Sequence, residues 1–239
     1  MNKLFRMDCR AVLLFGVAAT AALSSGCWRG VSREVLATVL SVQGDVVYQG
    51  AEQHSSTPLT LETNAGSGSV LRTSGSGQAD LALIPGALLH ISGESEVRIE
   101  ELGLTKDGNE TEDGMRARAA RLRLNRGMIT LVVDRTDAAD LRFVVATGDV
   151  TLNADQSCVW CVRVAENKTR VTCVRGKAYA RTGSSKQTIV QAGYFEEWPA
   201  GLVGVASKNA GAQIDLRAAL EAQQRLRQRQ QERRNRRPF

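Results

Sequence analysis

The sequence predicts an all-β fold, a rolled or solenoid-like sandwich of short antiparallel strands with a marginal C-terminal helix. Short runs of alternating apolar residues recur through the middle of the chain, and glycine-containing corners separate them. Glycine is abundant, at 22 of 239 residues, whereas aromatic residues make up only 5%. A helical pattern appears only near the C-terminus. These observations favour many short strands over long helices.

Residues 1–26 have the pattern of a bacterial signal peptide. Lys3, Arg6 and Arg10 form a positive segment, and residues 11–23 are apolar or small apart from Thr20. A membrane-spanning helix needs about 20 apolar residues, so this run is too short to span. It fits the hydrophobic region of a secretion signal. We therefore expect the protein to be exported.

The sequence Ser-Ser-Gly-Cys at residues 24–27 resembles the lipobox of bacterial lipoproteins. It departs from that motif at Ser24, where an aliphatic residue is usual. The resemblance implies that Cys27 is lipidated and that residues 27–35 form a lipidated linker. Trp28 follows the cysteine, which favours the outer membrane, facing the periplasm. Ordinary signal cleavage without lipid and an uncleaved anchor remain the alternatives.

Residues 36–199 form the predicted β-domain. Each of several segments has a short apolar run, a glycine and a second apolar run; these segments are 40–48, 81–91, 122–133, 141–152 and 171–179. This alternation is typical of strands joined by tight turns. Residues 53–57 and 105–116 are polar insertions, and we expect the longer one to be a surface loop.

The β pattern ends at Pro199, where residues 200–211 are predicted to be a linker. Residues 212–239 are rich in arginine and glutamine and are predicted to be helical or disordered. Leu216 and Leu220 lie one helical turn apart, and Leu226 loosely continues this stripe. So thin a stripe predicts a marginal helix that a partner could stabilise.

The net charge of +6 is located at the two ends of the chain. The segment after Asp215 carries +6 and the signal peptide +2, which leaves −2 for the body. A nucleic-acid-binding face is therefore not predicted. The tail could contact anionic lipid or peptidoglycan, at about 1 kcal/mol per residue near a lipid surface, or it could be a solvated end. The candidate contact residues are Arg225, Arg227, Arg229, Arg233, Arg234, Arg236 and Arg237.

The cysteines of the body, Cys158, Cys161 and Cys173, do not form a recognised metal or redox motif. The pair with two intervening residues is followed by Val162 rather than the histidine of haem attachment. A zinc site would need four ligands at suitable spacing. A thioredoxin-type pair belongs at a helix N-terminus, whereas the flanking valines predict a strand.

A disulfide is plausible in an exported chain. The valine pattern predicts a hairpin that turns near residues 166–168. Simple alternation then places Cys158 and Cys173 on the inward face, whereas a three-residue turn places Cys161 opposite Cys173. We favour Cys161–Cys173, because directly opposite residues are closer than diagonal ones. Three buried thiols remain the alternative.

No catalytic or cofactor site is predicted. His54 lies in a polar loop, and His90 lies on an alternating strand where we expect a surface or capping role. The glycine-rich segment 68–77 lacks the lysine and the strand-to-helix context of a phosphate-binding loop.

The β region resembles the extracytoplasmic domain of FecR-type proteins, named for the ferric-citrate regulator. The resemblance covers roughly residues 36–198 and rests on glycine-and-turn motifs at residues 42–46, 68–86, 122–129, 143–147, 169–178 and 191–193. Four positions depart from the family pattern: Gly148 replaces a proline, Ser157-Cys158 a Gly-Thr pair and Trp160 a phenylalanine. The resemblance implies an all-β domain for extracytoplasmic sensing or protein contact.

These features predict a non-enzymatic, lipid-anchored envelope protein whose FecR-like domain senses or docks an unknown extracytoplasmic protein. FecR regulators also carry a cytoplasmic sigma-factor-binding segment and a transmembrane helix, so we expect this chain to be a stand-alone exported form. The alternative is a structural envelope protein that binds peptidoglycan or another glycan.

Overall fold

The computed structural model describes residues 31–107, 114–135, 139–154, 157–183 and 187–235. The predicted signal peptide and Cys27 lie outside these residues, as do Arg236 and Arg237. Within the described residues, eighteen strands precede a 3-10 turn at Ala206–Lys208 and one α-helix, α1, at Ala210–Asn235. The predicted all-β class with a C-terminal helix is confirmed.

The first nine strands are β1 Val31–Glu34, β2 Ala37–Gln43, β3 Val46–Gln49, β4 Thr57–Pro58, β5 Asn64–Ala65, β6 Val70–Thr73, β7 Gln78–Ile84, β8 Ala87–Ile91 and β9 Glu96–Lys106. The remaining nine are β10 Met115–Val133, β11 Asp140–Ala146, β12 Val150–Ala154, β13 Cys158–Ala165, β14 Lys168–Arg175, β15 Lys177–Thr182, β16 Gln187–Gln191, β17 Tyr194–Trp198 and β18 Leu202–Val205.

The strands form two sheets. Sheet 1 has the order β4-β3-β6-β9-β10-β11-β12-β15-β16, and β1 pairs with the far end of β9. Sheet 2 has the order β5-β2-β7-β8-β10-β13-β14-β17-β18. The strand β10 belongs to both sheets. It connects the two layers covalently.

The strand β10 departs from the prediction of short antiparallel strands. It has 19 residues, and its first half pairs with β9 and β11 while its second half pairs with β8 and β13. The β10–β11 pairing is parallel. Gly127 marks the change of sheet, with a φ of 89°. The sequence presents this position as a turn between two strands, whereas the chain bends there without ending its hydrogen bonding.

The core lies between the sheets and is built from the inward residue of each alternating pair. Its largest fully buried side chains include Trp160, Phe143 and Leu122. The indole Nε1 of Trp160 donates to the carbonyl oxygen of Lys177 at 3.1 Å, which satisfies its polar atom. Each such side chain contributes about 1.5–3 kcal/mol by leaving water.

Helix α1 crosses the outer face of sheet 2, across the direction of the strands. Its first turn is capped by Asn209, whose Oδ1 accepts from the Ala212 amide at 3.0 Å. The predicted helix is present; of its predicted leucine stripe, Leu226 is buried and Leu216 is partly buried, whereas Leu220 is not. Leu220 is 45% exposed. The residues that face the sheet are Ala212, Asp215, Ala219, Ala222 and Leu226.

The segment predicted as a linker contains β18 and the 3-10 turn. The strand β18 pairs with β17, and Leu202 and Val203 are exposed at this edge of sheet 2. The alternation of apolar residues in β18 is too short to indicate a strand from the sequence alone. Within the described residues, no helix combines the length and the apolar character that crossing a membrane requires.

Gly127→Ala tests the change of sheet in β10. A β-carbon there would overlap Ser95, and the positive φ is unfavourable for alanine. We expect a loss of roughly 2–4 kcal/mol in the free energy of unfolding, measured by urea denaturation. Gly148→Ala is the matched control, because no atom lies within 4 Å of its added β-carbon. Equal stability of the two variants would contradict the close packing at Gly127.

Candidate functional site

A row of polar side chains crosses the outer face of sheet 2 beneath α1. We call this set the polar row. Its members are neighbours in register on six adjacent strands, from β2 to β14: Ser41, Asp80, His90, Thr130, Cys161 and Thr172. At ~4.8 Å between strands, the row is about 24 Å long. The distance from Asp215 to Arg233 along α1 is about 27 Å at 1.5 Å per residue, so the helix spans the row.

Asp80 lies near the Ser41 end of the polar row, between Ser41 and His90. The Ser41 hydroxyl donates to its Oδ2 at 2.7 Å, and His90 Nδ1 lies 2.7 Å from its Oδ1. Burial raises the pKa of Asp80, but the hydrogen bonds to His90 and Ser41 outweigh burial and hold the pKa below its ordinary 3.8. This carboxylate is therefore ionised and satisfied by its neighbours.

His90 is 4% exposed, which corrects the expectation of a surface role. Its Nε2 lies 3.4 Å from the Arg225 guanidinium. Because arginine can only donate, Nε2 accepts, and Nδ1 carries the proton that is donated to Asp80. The three side chains do not form a catalytic triad, since the Ser41 hydroxyl bonds to the carboxylate rather than to the imidazole.

The other half of the row consists of Thr130, Cys161 and Thr172, all at most 1% exposed. Within the described residues, neither threonine hydroxyl has a nitrogen or oxygen hydrogen-bond partner. Burial raises the pKa of the Cys161 thiol far above its ordinary range, and the nearby Asp215 carboxylate adds to the rise. The thiol is therefore neutral and is not an activated nucleophile.

Asp215 of α1 anchors the helix beyond the Thr172 end of the row. It is 1% exposed, and its Oδ1 lies 2.6 Å from Arg163 Nη2. Its Oδ2 lies 3.5 Å from Arg170, which also binds Glu197 at 2.7 Å. Two guanidinium groups and two carboxylates thus neutralise one another. A buried carboxylate requires such partners.

The other half of α1 is held by arginines. Arg227 lies 3.2 Å from Asp134, which also pairs with Arg175 of β14. Arg233 donates to the carbonyl oxygen of Val39 at 2.7 Å. Among the predicted lipid or glycan contacts, Arg225, Arg227 and Arg233 therefore face the sheet.

The other predicted tail contacts differ in their positions. Arg229 pairs with Glu232 at 3.3 Å, and both line a cleft with Ser41 and its neighbours in β2. Arg234 lines a cleft with Asp134 and Gln230, and Arg236 and Arg237 lie outside the described residues. Contact of any of these arginines with lipid or peptidoglycan remains a prediction.

The favoured Cys161–Cys173 disulfide is absent from the structure. The β13–β14 turn contains only Glu166 and Asn167, so Thr172 faces Cys161, and Trp160 faces Cys173. Cys161 points outward to α1, whereas Cys158 and Cys173 point into the core. Burial raises the pKa of Cys173 to about 12. Within the described residues, no cluster of His, Cys, Asp and Glu side chains could hold a metal ion.

Comparisons with known proteins agree with the predicted resemblance. The family model described as FecR protein matches residues 69–179, from the start of β6 into β15. Two crystal structures of a "putative anti-sigma factor" from Parabacteroides distasonis ATCC 8503, at 1.65 and 2.50 Å resolution, are 12% identical to the chain, with TM-scores of 0.41 and 0.40. Each match covers 56% of this chain and 57% of that chain, just over half of its length. No curated protein matches the sequence.

Asp80→Asn tests the electrostatics of the row. The pKa of Asp80 is below 3.8 in the folded state, so its ionised form stabilises the fold above about pH 4, and this stabilisation is lost as the pH falls through the folded-state pKa. We expect the free energy of unfolding of the wild type to fall more steeply with acidification than that of the variant. Urea denaturation at a series of pH values measures both slopes. Asp149→Asn, at an exposed carboxylate, should retain the wild-type slope; identical slopes for wild type and Asp80→Asn would contradict the assignment.

Proposed function

We propose that this chain, which carries a FecR domain at residues 69–179, is a non-enzymatic, lipid-anchored envelope protein. Its β-sandwich docks another extracytoplasmic protein as part of sensing or signalling. The FecR match is the observation that carries this proposal, because it covers strands of both sheets.

The chemistry of the polar row supports binding rather than catalysis. Asp80 is held by Ser41 and His90, and Asp215 by two arginines. Ser41, Asp80 and His90 bond to one another, which favours binding over acid–base catalysis; Asp215 Oδ2 accepts no hydrogen bond but is buried under α1. The Cys161 thiol is neutral and covered by α1.

Lipid anchoring rests on the lipobox-like residues 24–27 and is independent of the fold. Two acyl chains on Cys27 would hold the protein on a membrane stably, whereas one chain would not. Trp28 favours the outer membrane, with the sandwich in the periplasm.

Metabolic labelling with an acyl probe tests the anchor. We expect label in the wild type and none in Cys27→Ala, because the thiol is the acceptor of the lipid. The mature wild type should also partition with the membrane fraction and begin at residue 27. Unlabelled wild type with a free N-terminus elsewhere would identify ordinary signal cleavage and would contradict lipidation.

Site-specific photocross-linking in the native envelope tests docking. A photoreactive residue is placed at exposed Arg142 or Ile189 on sheet 1, or at exposed Ile214 or Glu221 on α1. Docking predicts one adduct of defined mass from a subset of these sites. Adducts of the same kind from every site would indicate random contact and would contradict a docking surface.

Binding to purified peptidoglycan distinguishes the alternative function. The variant Arg217→Gln/Arg229→Gln/Arg234→Gln removes positive charge but keeps Arg225, Arg227 and Arg233, which hydrogen-bond to sheet 2 or its adjoining loop. We expect neither the wild type nor this variant to be retained on the cell wall. Retention of the wild type that is lost in the variant would instead establish a glycan-binding tail.

A further inference from the structure

The contact between α1 and sheet 2 contains little apolar area. Of the helix residues that face the sheet, three are alanines and one is an aspartate, and Leu226 is the largest apolar one. Leu226 packs on Leu88, Val132 and Val159. Hydrophobic stabilisation follows the apolar area removed from water. The helix is therefore held less by burial than a strand of the core is.

The face beneath α1 is partly apolar, at Leu88, Val132 and Val159, and partly polar. Four of its buried side chains, Asp80, His90, Thr130 and Thr172, are polar, and they form part of one row. Within the described residues, the hydroxyls of the two threonines have no nitrogen or oxygen partner. Burying an unsatisfied hydroxyl is unfavourable. Thr130 has the Cys161 thiol beside it, but water reaching an uncovered Thr172 would hydrogen-bond its hydroxyl and offset part of the loss of helix contacts.

The charges of α1 are complementary to those of the face. Near its start, Asp215 lies between Arg163 and Arg170. Ten residues later, Arg225 and then Arg227 approach His90 and Asp134. The small residues between them are spaced by three and four positions, which places them on one side of a helix. The face is therefore complementary to a helix that has a carboxylate near its start, arginines about ten residues later and small side chains between them.

We propose that the outer face of sheet 2 is a docking groove for an α-helix of a partner protein, and that α1 covers this groove in cis until the partner helix displaces it. The partner helix has a carboxylate near its N-terminal end, an arginine about ten residues later and small residues between them, as α1 does. This inference rests on the proposed docking function and names its surface.

Cys161 reports on the displacement of α1 without the introduction of a new cysteine. It lies under the helix, whereas Cys173 lies between the sheets. Release of α1 alone exposes Cys161, and only opening of the sandwich exposes Cys173. Maleimide labelling of the folded full-length protein, followed by mass spectrometry of cysteine peptides, measures the two rates separately.

Asp215→Asn is the first test, with Glu221→Gln as its matched control on the exposed side of the same helix. We expect Asp215→Asn to raise the labelling rate of Cys161 by about tenfold or more while that of Cys173 is unchanged. Glu221→Gln should label like the wild type. Equal rates for Cys161 and Cys173 in every variant would show that α1 leaves only when the sandwich unfolds, and would overturn the proposal.

A peptide of residues 209–235, added in trans, is the second test. We expect it to bind Asp215→Asn with a Kd about tenfold lower than for the wild type, because the cover of the variant is weakened. A peptide carrying Asp215→Asn and Arg225→Gln is the control, and it should bind at least about tenfold more weakly.

Failure of the peptide to bind when Cys161 is exposed would overturn the groove. Dimers formed by exchange of α1, seen by light scattering, would assign it to a second copy of the chain and would overturn the partner helix. A photocross-linked partner that contacts only sheet 1 would leave docking intact and refute this surface. If the peptide binds but photocross-linking in the native envelope gives no adduct, the proposed docking of a partner protein is contradicted instead.

Discussion

The strand β10 is the constraint on which the arrangement of this protein depends. Its first half completes sheet 1 and its second half lies at the centre of sheet 2. The pairing of β10 with β8 and β13 fixes Thr130 between His90 and Cys161. A shift of one residue would reverse the inward and outward faces of the strand. The buried core and the polar row are therefore set by the same hydrogen bonds.

The outer face of sheet 2 combines polarity with burial. Each charged group under α1 has a partner: Asp80 has His90, Asp215 has Arg163 and Arg170. Such pairs offset the cost of removing charge from water but add little net stability over apolar contacts. They do specify where the helix lies, because each pair forms in only one position. These ion pairs therefore fix the position of α1 but contribute little to its stability.

The sequence predicts the strands, the corners and the helix because alternation and glycine are local signals. The resemblance to FecR-type proteins rests on the same local glycine-and-turn motifs. Pairing between distant strands is not a local signal, so the burial of His90 could not be foreseen. The cysteine arrangement depended on whether the β13–β14 turn has two or three residues. The helix face was missed because its stripe consists of alanines around Asp215, whereas leucine spacing at Leu216 and Leu220 suggested a different face.

The direction of α1 has a mechanical consequence. A helix that lies along a strand touches one or two neighbours, but α1 crosses six strands and contacts residues near both ends of their span, from Arg170 to Val39. The helix therefore opposes the sliding of adjacent strands of sheet 2 past one another. Displacement of one end of α1 from the sheet therefore strains the contacts at its other end, about 24 Å away across the sheet.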